Sequence, residues 1–375
     1  MNFSVATAVH LTNSLSLQPE SSFKTNPMRH FKLTLFIACL CLLCGSSQAQ
    51  TKVEVAMADF VSPRMRVIID NDFSGDPDGL FQLAHHLLSP SVEIRGIIGS
   101  HLNRGAGFGG ASVNSAKAAC EKVNELLSAM GLTGKYRVVE GAAQGMDTMT
   151  VAKDSEGARL IIEEAMRTDT QSPLYVVCGA GLTNIASAYL LQPEIAKRLT
   201  LIWIGGQEYE GIALPPPGYS VPEYNLNLCI PAAQTIFNLS NIPLWQVPRD
   251  AYRQCIYSMA EMLTEVQPLG ATGAYLTQSI TQLMARLKSF HPMGEVYILG
   301  DSPLVLLTAL QSGFEPDPAS SYYEIRQAPA IAADGTYRYQ PKGRPIRVYS
   351  RIDVRLMFAD MVAKLKIATS TTHIP

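Results

Sequence analysis

At 375 residues, with 47% hydrophobic and 17% charged side chains, the chain has apolar material for one large or two ordinary packed domains and is not of disordered type. Its formal net charge is −2, with no Lys/Arg run beyond scattered pairs. A nucleic-acid polymer or an anionic membrane face is therefore excluded as an expected partner.

The N-terminal part reads as a secretory signal. Met28-Arg29-His30-Phe31-Lys32 is basic, Leu33 to Leu43 is apolar, and Gly45-Ser46-Ser47-Gln48-Ala49 offers small residues for cleavage after Ala49. The apolar run is too short for a stable membrane span. The expected organisation is an extension plus signal over residues 1–49 and a single domain over 50–375, exported to a periplasmic or extracellular space. Four cysteines remain after cleavage: Cys120, Cys178, Cys229 and Cys255. No C-x-x-C pair occurs among them, which argues against a zinc site and leaves them as small buried hydrophobes.

Short β-branched runs then alternate with amphipathic stretches. Strands are expected at Arg66–Asp70, Val92–Ile98, Tyr136–Val139, Leu174–Cys178, Leu199–Ile204 and Pro243–Val247. Helices are expected at Gly79–Leu88, Ser115–Met130, Asp154–Arg167, Thr183–Leu191, Gly273–Ser289, Ser302–Gln311 and Val354–Lys366. This rhythm predicts an α/β fold: an open, mainly parallel sheet with helices on both faces. Tyr322–Arg326 and Pro345–Tyr349 add a late antiparallel pair, which makes the sheet mixed. In such a fold, ligands bind beyond the carboxyl ends of the strands.

The first strand end carries Asp70-Asn71-Asp72-Phe73-Ser74-Gly75-Asp76-Pro77-Asp78-Gly79. Crowded carboxylates repel one another unless a cation shares them, and hard oxygen donors on one turn suit Ca²⁺. Asp70, Asp72, Ser74 and Gly75 match the opening of an EF-hand loop, but its twelfth position is Phe81, which cannot ligate. A plain turn, with its last aspartate capping the next helix, is the competing reading. Gly105-Ala106-Gly107-Phe108-Gly109-Gly110 fits a dinucleotide pattern, yet the acidic partner that it needs comes late, at Glu140.

The aspartate loop resembles the signature of the nucleoside hydrolases, an Asp-x-Asp followed by a glycine and an acidic pair. On the shorter form of that signature, Asp76 and Asp78 are the pair and Pro77 is inserted. On a longer form, the final acid falls on Gly79. Further segments follow in the order of the family. Gly96 to Asn103 resembles its second-strand segment ending in a ribose-binding asparagine. Leu182-Thr183-Asn184 resembles its Leu-Thr-Asn helix start, preceded by a metal-binding carbonyl that falls on Gly179. Trp203-Ile204-Gly205-Gly206, Glu223-Tyr224-Asn225 and Gly300-Asp301-Ser302-Pro303-Leu304 complete the series, with Gly300 standing where the family has histidine.

The resemblance runs from about Arg66 to Gln311 and implies a Rossmann-like nucleoside hydrolase fold. It implies Ca²⁺-dependent hydrolysis of the N-glycosidic bond of ribonucleosides. The metal would be held by Asp72, Asp301, one or both of Asp76 and Asp78, and the Gly179 carbonyl. Asp78 or Asp76 would take the proton of the attacking water, while Asn103, Glu223 and Asn225 hold the sugar hydroxyls. The partner implied is a small nucleoside or ribosyl compound, and homo-oligomers are common in the family. Gly79 and Gly300 leave two alternatives open: a catalytically impaired sugar- or nucleoside-binding protein, and an exported hydrolase of another glycosyl bond. Gln207 to Pro222, rich in Pro and Tyr, would either stack a base or rigidify a loop. Trp245 and Tyr252 read as core aromatics.

Overall fold

The computed structural model describes residues 57–103, 114–219, 222–312 and 321–371. The expected signal segment and the Gly105–Gly110 pattern lie outside these residues. In chain order the strands are β1 (Met65–Asn71), β2 (Val92–Gly99), β3 (Val138–Glu140), β4 (Leu174–Cys178), β5 (Leu199–Ile204), β6 (Leu244–Val247), β7 (Ile256–Ser258), β8 (Val296–Ile298), β9 (Tyr322–Gln327), β10 (Ala330–Ile331), β11 (Tyr337–Arg338) and β12 (Pro345–Arg351). Eight of them form one sheet in the order β3-β2-β1-β4-β5-β6-β12-β9. Every pairing in it is parallel except that of β9 with β12. The expected late antiparallel pair is this β9–β12 edge, although the short β10–β11 ribbon intervenes in the chain.

All seven residues of β1 are buried, as a central parallel strand covered on both faces requires. Its side chains alternate between two apolar layers. Met65, Val67 and Ile69 pack with Val177, Ile202 and the helices Asp78–Leu87, Ser115–Ala129 and Gly270–Leu287. Ile68 joins Val176, Leu201, Trp203 and the helices Glu156–Ala165 and Thr183–Leu191 on the other face. The helix Asp78–Leu87 is buried on every side, so its polar Gln82, His85 and His86 must find partners inside the protein. The helix expected over Ser302–Gln311 is shorter, Pro303–Leu306.

From β1 the chain winds outward through β2 and β3, then returns to place β4 on the opposite side of β1. The switch point of this open sheet therefore lies between the carboxyl ends of β1 and β4, where such folds leave a crevice. The four cysteines Cys120, Cys178, Cys229 and Cys255 are free and buried. Among the described residues, no helix is long and apolar enough to cross a membrane.

One charged cluster ties β1 to the helix behind it. Glu164 receives Arg66 Nη1 at 2.9 Å and Arg95 Nη2 at 3.0 Å, with Arg167 at 3.3 Å. Burial pushes the Glu164 carboxyl up, but hydrogen bonds from Arg95 and Arg66 outweigh it and hold the group below its ordinary value. Replacing Glu164 by Ala strands the buried Arg66 guanidinium, a loss expected at roughly 3–5 kcal/mol in urea unfolding. Because its folded pKa is depressed, the Glu164 contribution is present above about pH 4.3 and disappears as pH falls through the folded value. The wild-type and Glu164→Ala midpoints should therefore converge only in acid.

Candidate active site

At the end of β1 the backbone carries Asp70, Asn71 and Asp72 into a tight turn closed by Gly75 N–H on the Asp72 carbonyl at 2.7 Å. Asp76 Oδ1 then accepts the Asp78 N–H at 3.2 Å, and the helix Asp78–Leu87 begins. From the far side of the sequence, the turn after β8 brings Asp301 against this loop. Its N–H donates to Asp78 Oδ2 at 3.1 Å, and its Oδ2 accepts Asn71 Nδ2 at 2.8 Å. The β1 loop and Asp301 thus share one buried site.

Asp70 stands apart from its neighbours. Its carboxylate accepts Ser100 Oγ at 2.5 Å and Asn184 Nδ2 at 3.1 Å, beneath the site, and burial pushes its pKa to about 7. Asp72, Asp76, Asp78 and Asp301 are all raised, first by burial. For Asp72 and Asp78 the charges of Asp301 and Asp76 come next, and Asp301 reaches about 7. Asp72 Oδ2 is buried with no hydrogen-bond partner among the described residues.

No group of three or more His, Cys, Asp or Glu side chains among the described residues is spaced to hold a metal ion. The chemistry of the donors nevertheless fits one. They are oxygen ligands alone, they repel one another, and one oxygen is left unused, which is what a hard divalent cation relieves.

Gly179 follows β4 and donates its N–H to the Asp70 carbonyl at 3.0 Å. A Cβ there would stand 2.5 Å from Asn71 Nδ2 and 2.7 Å from Asp301 Oδ1, so only glycine fits. The Gly179 carbonyl accepts Asn225 Nδ2 at 3.2 Å, and the same amide reaches the Ile204 carbonyl at 2.9 Å. Glu223 caps the helix Tyr224–Leu228: its Oε2 accepts Gly206 N–H at 2.7 Å and Leu226 N–H at 3.0 Å. Its Oε1 accepts the Tyr252 hydroxyl at 2.9 Å. Asn103 is exposed, and its amide donates to the Asn227 carbonyl at 2.9 Å, beside the helix that carries Asn225.

Three tyrosines enter the site that were assigned no role there from sequence, Tyr224 from within the Glu223–Asn225 motif and two from outside the motifs. Tyr297, on β8, donates to Asp76 Oδ1 at 2.7 Å. Tyr252, read from sequence as a core aromatic, holds Glu223. Tyr224 is raised by burial and then by the charges of Asp72 and Asp76, so its phenol keeps its proton. Position 300 faces this region as well, since a Cβ there would lie 3.3 Å from the Tyr252 ring and 3.4 Å from Asp78 Oδ2. Beyond Gly206, Gln207, Leu214, Pro215, Tyr219, Pro222 and Arg249 are among the residues that wall a cavity of about 380 Å³. The Arg249 guanidinium lies 4.3 Å over the Tyr219 ring, while Tyr209 is buried and bonded to Gln246 at 2.6 Å. This segment thus presents Tyr219 to the cavity and buries Tyr209.

An acid cluster at the switch point of a mainly parallel sheet, closed by a late aspartate, marks the crevice in which open α/β sheets bind ligands. The family model of inosine-uridine preferring nucleoside hydrolases matches residues 67–354, and the chain belongs to this family, whose chemistry is cleavage of N-glycosyl bonds. Among solved structures, a purine-preferring ribonucleoside hydrolase from Gardnerella vaginalis is similar at 16% identity, with 82% of this chain and 99% of that one covered and a TM-score of 0.64. A plant nucleoside hydrolase is similar at 16% identity over 81% and 99% of the two chains, with a TM-score of 0.61. A nucleoside hydrolase-related protein from Saccharophagus degradans, described as associated with carbohydrate metabolism, shares 18% identity over 82% and 72%, with a TM-score of 0.53. At these identities the likeness shows the fold alone. No curated protein matches the chain.

The raised carboxyls set a pH dependence with a definite sign. Between about pH 4, where a free aspartate titrates, and about 7, Asp70 and Asp301 hold more protons in the metal-free fold than in the unfolded chain. The contribution of these two groups to stability therefore falls as pH rises through this window. In chelator, the wild type should lose urea stability relative to Asp301→Asn from about pH 4 to about 7, and a bound divalent cation should flatten that difference. A difference that moves the other way would show Asp301 ionised and paired.

Proposed function

We propose that this chain, as a single domain from residue 50 onward and outside the cytoplasm, hydrolyses the N-glycosidic bond of ribonucleosides with Ca²⁺ as its metal. The observation that carries the reading is the meeting of Asp72, Asp76 and Asp78 with Asp301 at the carboxyl end of β1. Family membership supports the bond that is cut. Ca²⁺ bound by Asp72, Asp301, the Asp76–Asp78 pair and the Gly179 carbonyl would supply positive charge that eases ionisation of the attacking water.

The rest falls to the side chains. Asp76 Oδ1 accepts the Asp78 N–H, and the two carboxyls lie together beside Asp301, so proton acceptance is assigned to the pair. Burial raises both, and a raised carboxyl is the better base near neutral pH. Tyr297 fixes Asp76. Glu223 and Asn225 are locked by backbone groups at the ends of β4 and β5, which suits them to hold sugar hydroxyls in one geometry. Asn103 is assigned the same task from the mouth of the crevice. The bond breaks through an oxocarbenium-like sugar, and position 300, a glycine, supplies no side chain to hand the departing base a proton. The Tyr219 wall is the surface against which a base would stack.

A second reading, a protein that binds a nucleoside or another glycosyl compound without cutting ribonucleosides, is favoured by Gly79 and Gly300. One experiment separates the two. The full chain is incubated with a panel of ribonucleosides, with Ca²⁺ or with chelator, and release of base and ribose is followed. Ca²⁺-dependent release that Asp72→Ala abolishes is the expected result; saturable binding without release would favour the second reading. Tyr297→Phe, which frees Asp76 but removes no ligand, should lower kcat by about 10-fold, the usual scale for loss of a hydrogen bond behind a metal-binding carboxylate.

A further inference from the structure

The amide of Asn71 is oriented unambiguously. Its Oδ1 accepts the Asp72 backbone N–H at 2.8 Å, a group that can only donate. Its Nδ2 therefore faces the other way, toward Asp301 Oδ2 at 2.8 Å and Gln82 Oε1 at 3.4 Å. This amide also has no room to move. A Cβ on Gly79 would stand 2.7 Å from Asn71 Nδ2 and one on Gly179 2.5 Å from it, so the side chain lies between two glycines that it requires.

The orientation propagates. With Oε1 toward Asn71, Gln82 turns its Nε2 donor to His86 Nδ1. Nδ1 must then be unprotonated, and the ring proton sits on Nε2, donating to Thr308 Oγ1 at 2.9 Å. Thr308 in turn donates to the Leu304 carbonyl at 2.7 Å. Asn71, Gln82, His86 and Thr308 are all fully buried, so a missing partner leaves a polar group out of reach of bulk solvent. Burial lowers His86, in keeping with a neutral ring; the Gln82 backbone carbonyl, which pulls the other way, would suit the opposite tautomer.

We infer that Asn71 is the positioning residue that holds the Asp301 carboxylate in place, and that a one-way hydrogen-bond chain through Gln82, His86 and Thr308 keeps the Asn71 amide in that orientation. Thr308 makes no side-chain bond to the acids, but its hydroxyl also donates to Leu304, whose N–H bonds the Asp301 carbonyl at 3.1 Å; Gln82→Met, which leaves that contact intact, isolates the chain. The catalytic consequence rests on the hydrolase reading above; the chain itself does not.

The test uses nitrogen-15 NMR of the full chain in chelator. His86 should read as the neutral Nε2–H tautomer across about pH 5 to 8, and the Asn71 side-chain amide protons should exchange slowly. Gln82→Met, of similar volume, and Thr308→Val, of the same shape, should each speed that exchange by about 10-fold or more. Thr308→Ser, which keeps the hydroxyl, should stay near wild type. In turnover of a ribonucleoside, Gln82→Met and Thr308→Val should lower kcat by roughly 10–100-fold, with Thr308→Ser spared. A His86 proton on Nδ1, a charged His86 ring, or an Asn71 amide indifferent to Gln82→Met would overturn the inference. If the NMR results hold while no ribonucleoside is cut by the wild type, the hydrolase reading fails and the positioning chain stands.

Discussion

Burying several carboxylates together is the constraint around which this molecule is arranged. A lone ionised carboxylate taken out of water costs several kcal/mol, and like charges nearby add to it. Asp70 is accommodated by Ser100 and Asn184, which turn it into a hydrogen-bonded strut between β1, β2 and the helix Thr183–Leu191. Asp72, Asp76, Asp78 and Asp301 lack any such complete set of donors, and Asp72 Oδ2 has none among the described residues. A fold tolerates this only if something outside the chain completes the set, or if protons do so at the expense of stability near neutral pH. The glycines at 79 and 179 follow from the same crowding, because every Cβ near Asn71 would displace a polar atom.

The architecture and the site were legible in the sequence to different depths. The strands β1, β2, β4, β5 and β6 and the helix Thr183–Leu191 fall where apolar runs and helical periodicity place them, within a residue or two. Their rhythm implies a parallel sheet, and the sheet places the aspartate loop and Gly179 at its switch point. Asp301 is reached through the resemblance of Gly300-Asp301-Ser302-Pro303-Leu304 and not through any local pattern. The strand β8 is three residues long and pairs with β7 some forty positions earlier, so no periodicity marks Tyr297 as a site residue. Gln82, His85 and His86 look like the polar face of a surface helix; only the packing shows that this helix has no surface. Asn71 lay in plain view inside the motif, but its partners are 11 and 230 positions away.

Glu223 and Asn225 show a different limit. Their types and places agree with a sugar-binding role, yet in the structure their polar atoms are already engaged, by Gly206, Leu226 and Tyr252 for the acid and by two carbonyls for the amide. Each retains acceptor capacity for a hydroxyl, and the bonds already made fix where that capacity points. Sequence type tells what a side chain can bind, whereas the remaining lone pairs decide how much of it is left.

The bond between Asp301 and Asp78 joins residues 223 positions apart. Closing so long a span comes late, after the local strand–helix units have formed, because its entropy is recovered only when the flanking layers are already packed. Without Asp301 in place, the aspartate loop lacks the contacts to Asn71 and Asp78 that close the site. A cation that needs Asp301 as a ligand could therefore not seed the assembly of the chain. A chain cut short before β8 would keep most of the central sheet, yet it would lack the residue that turns a hydrated acidic turn into a pocket.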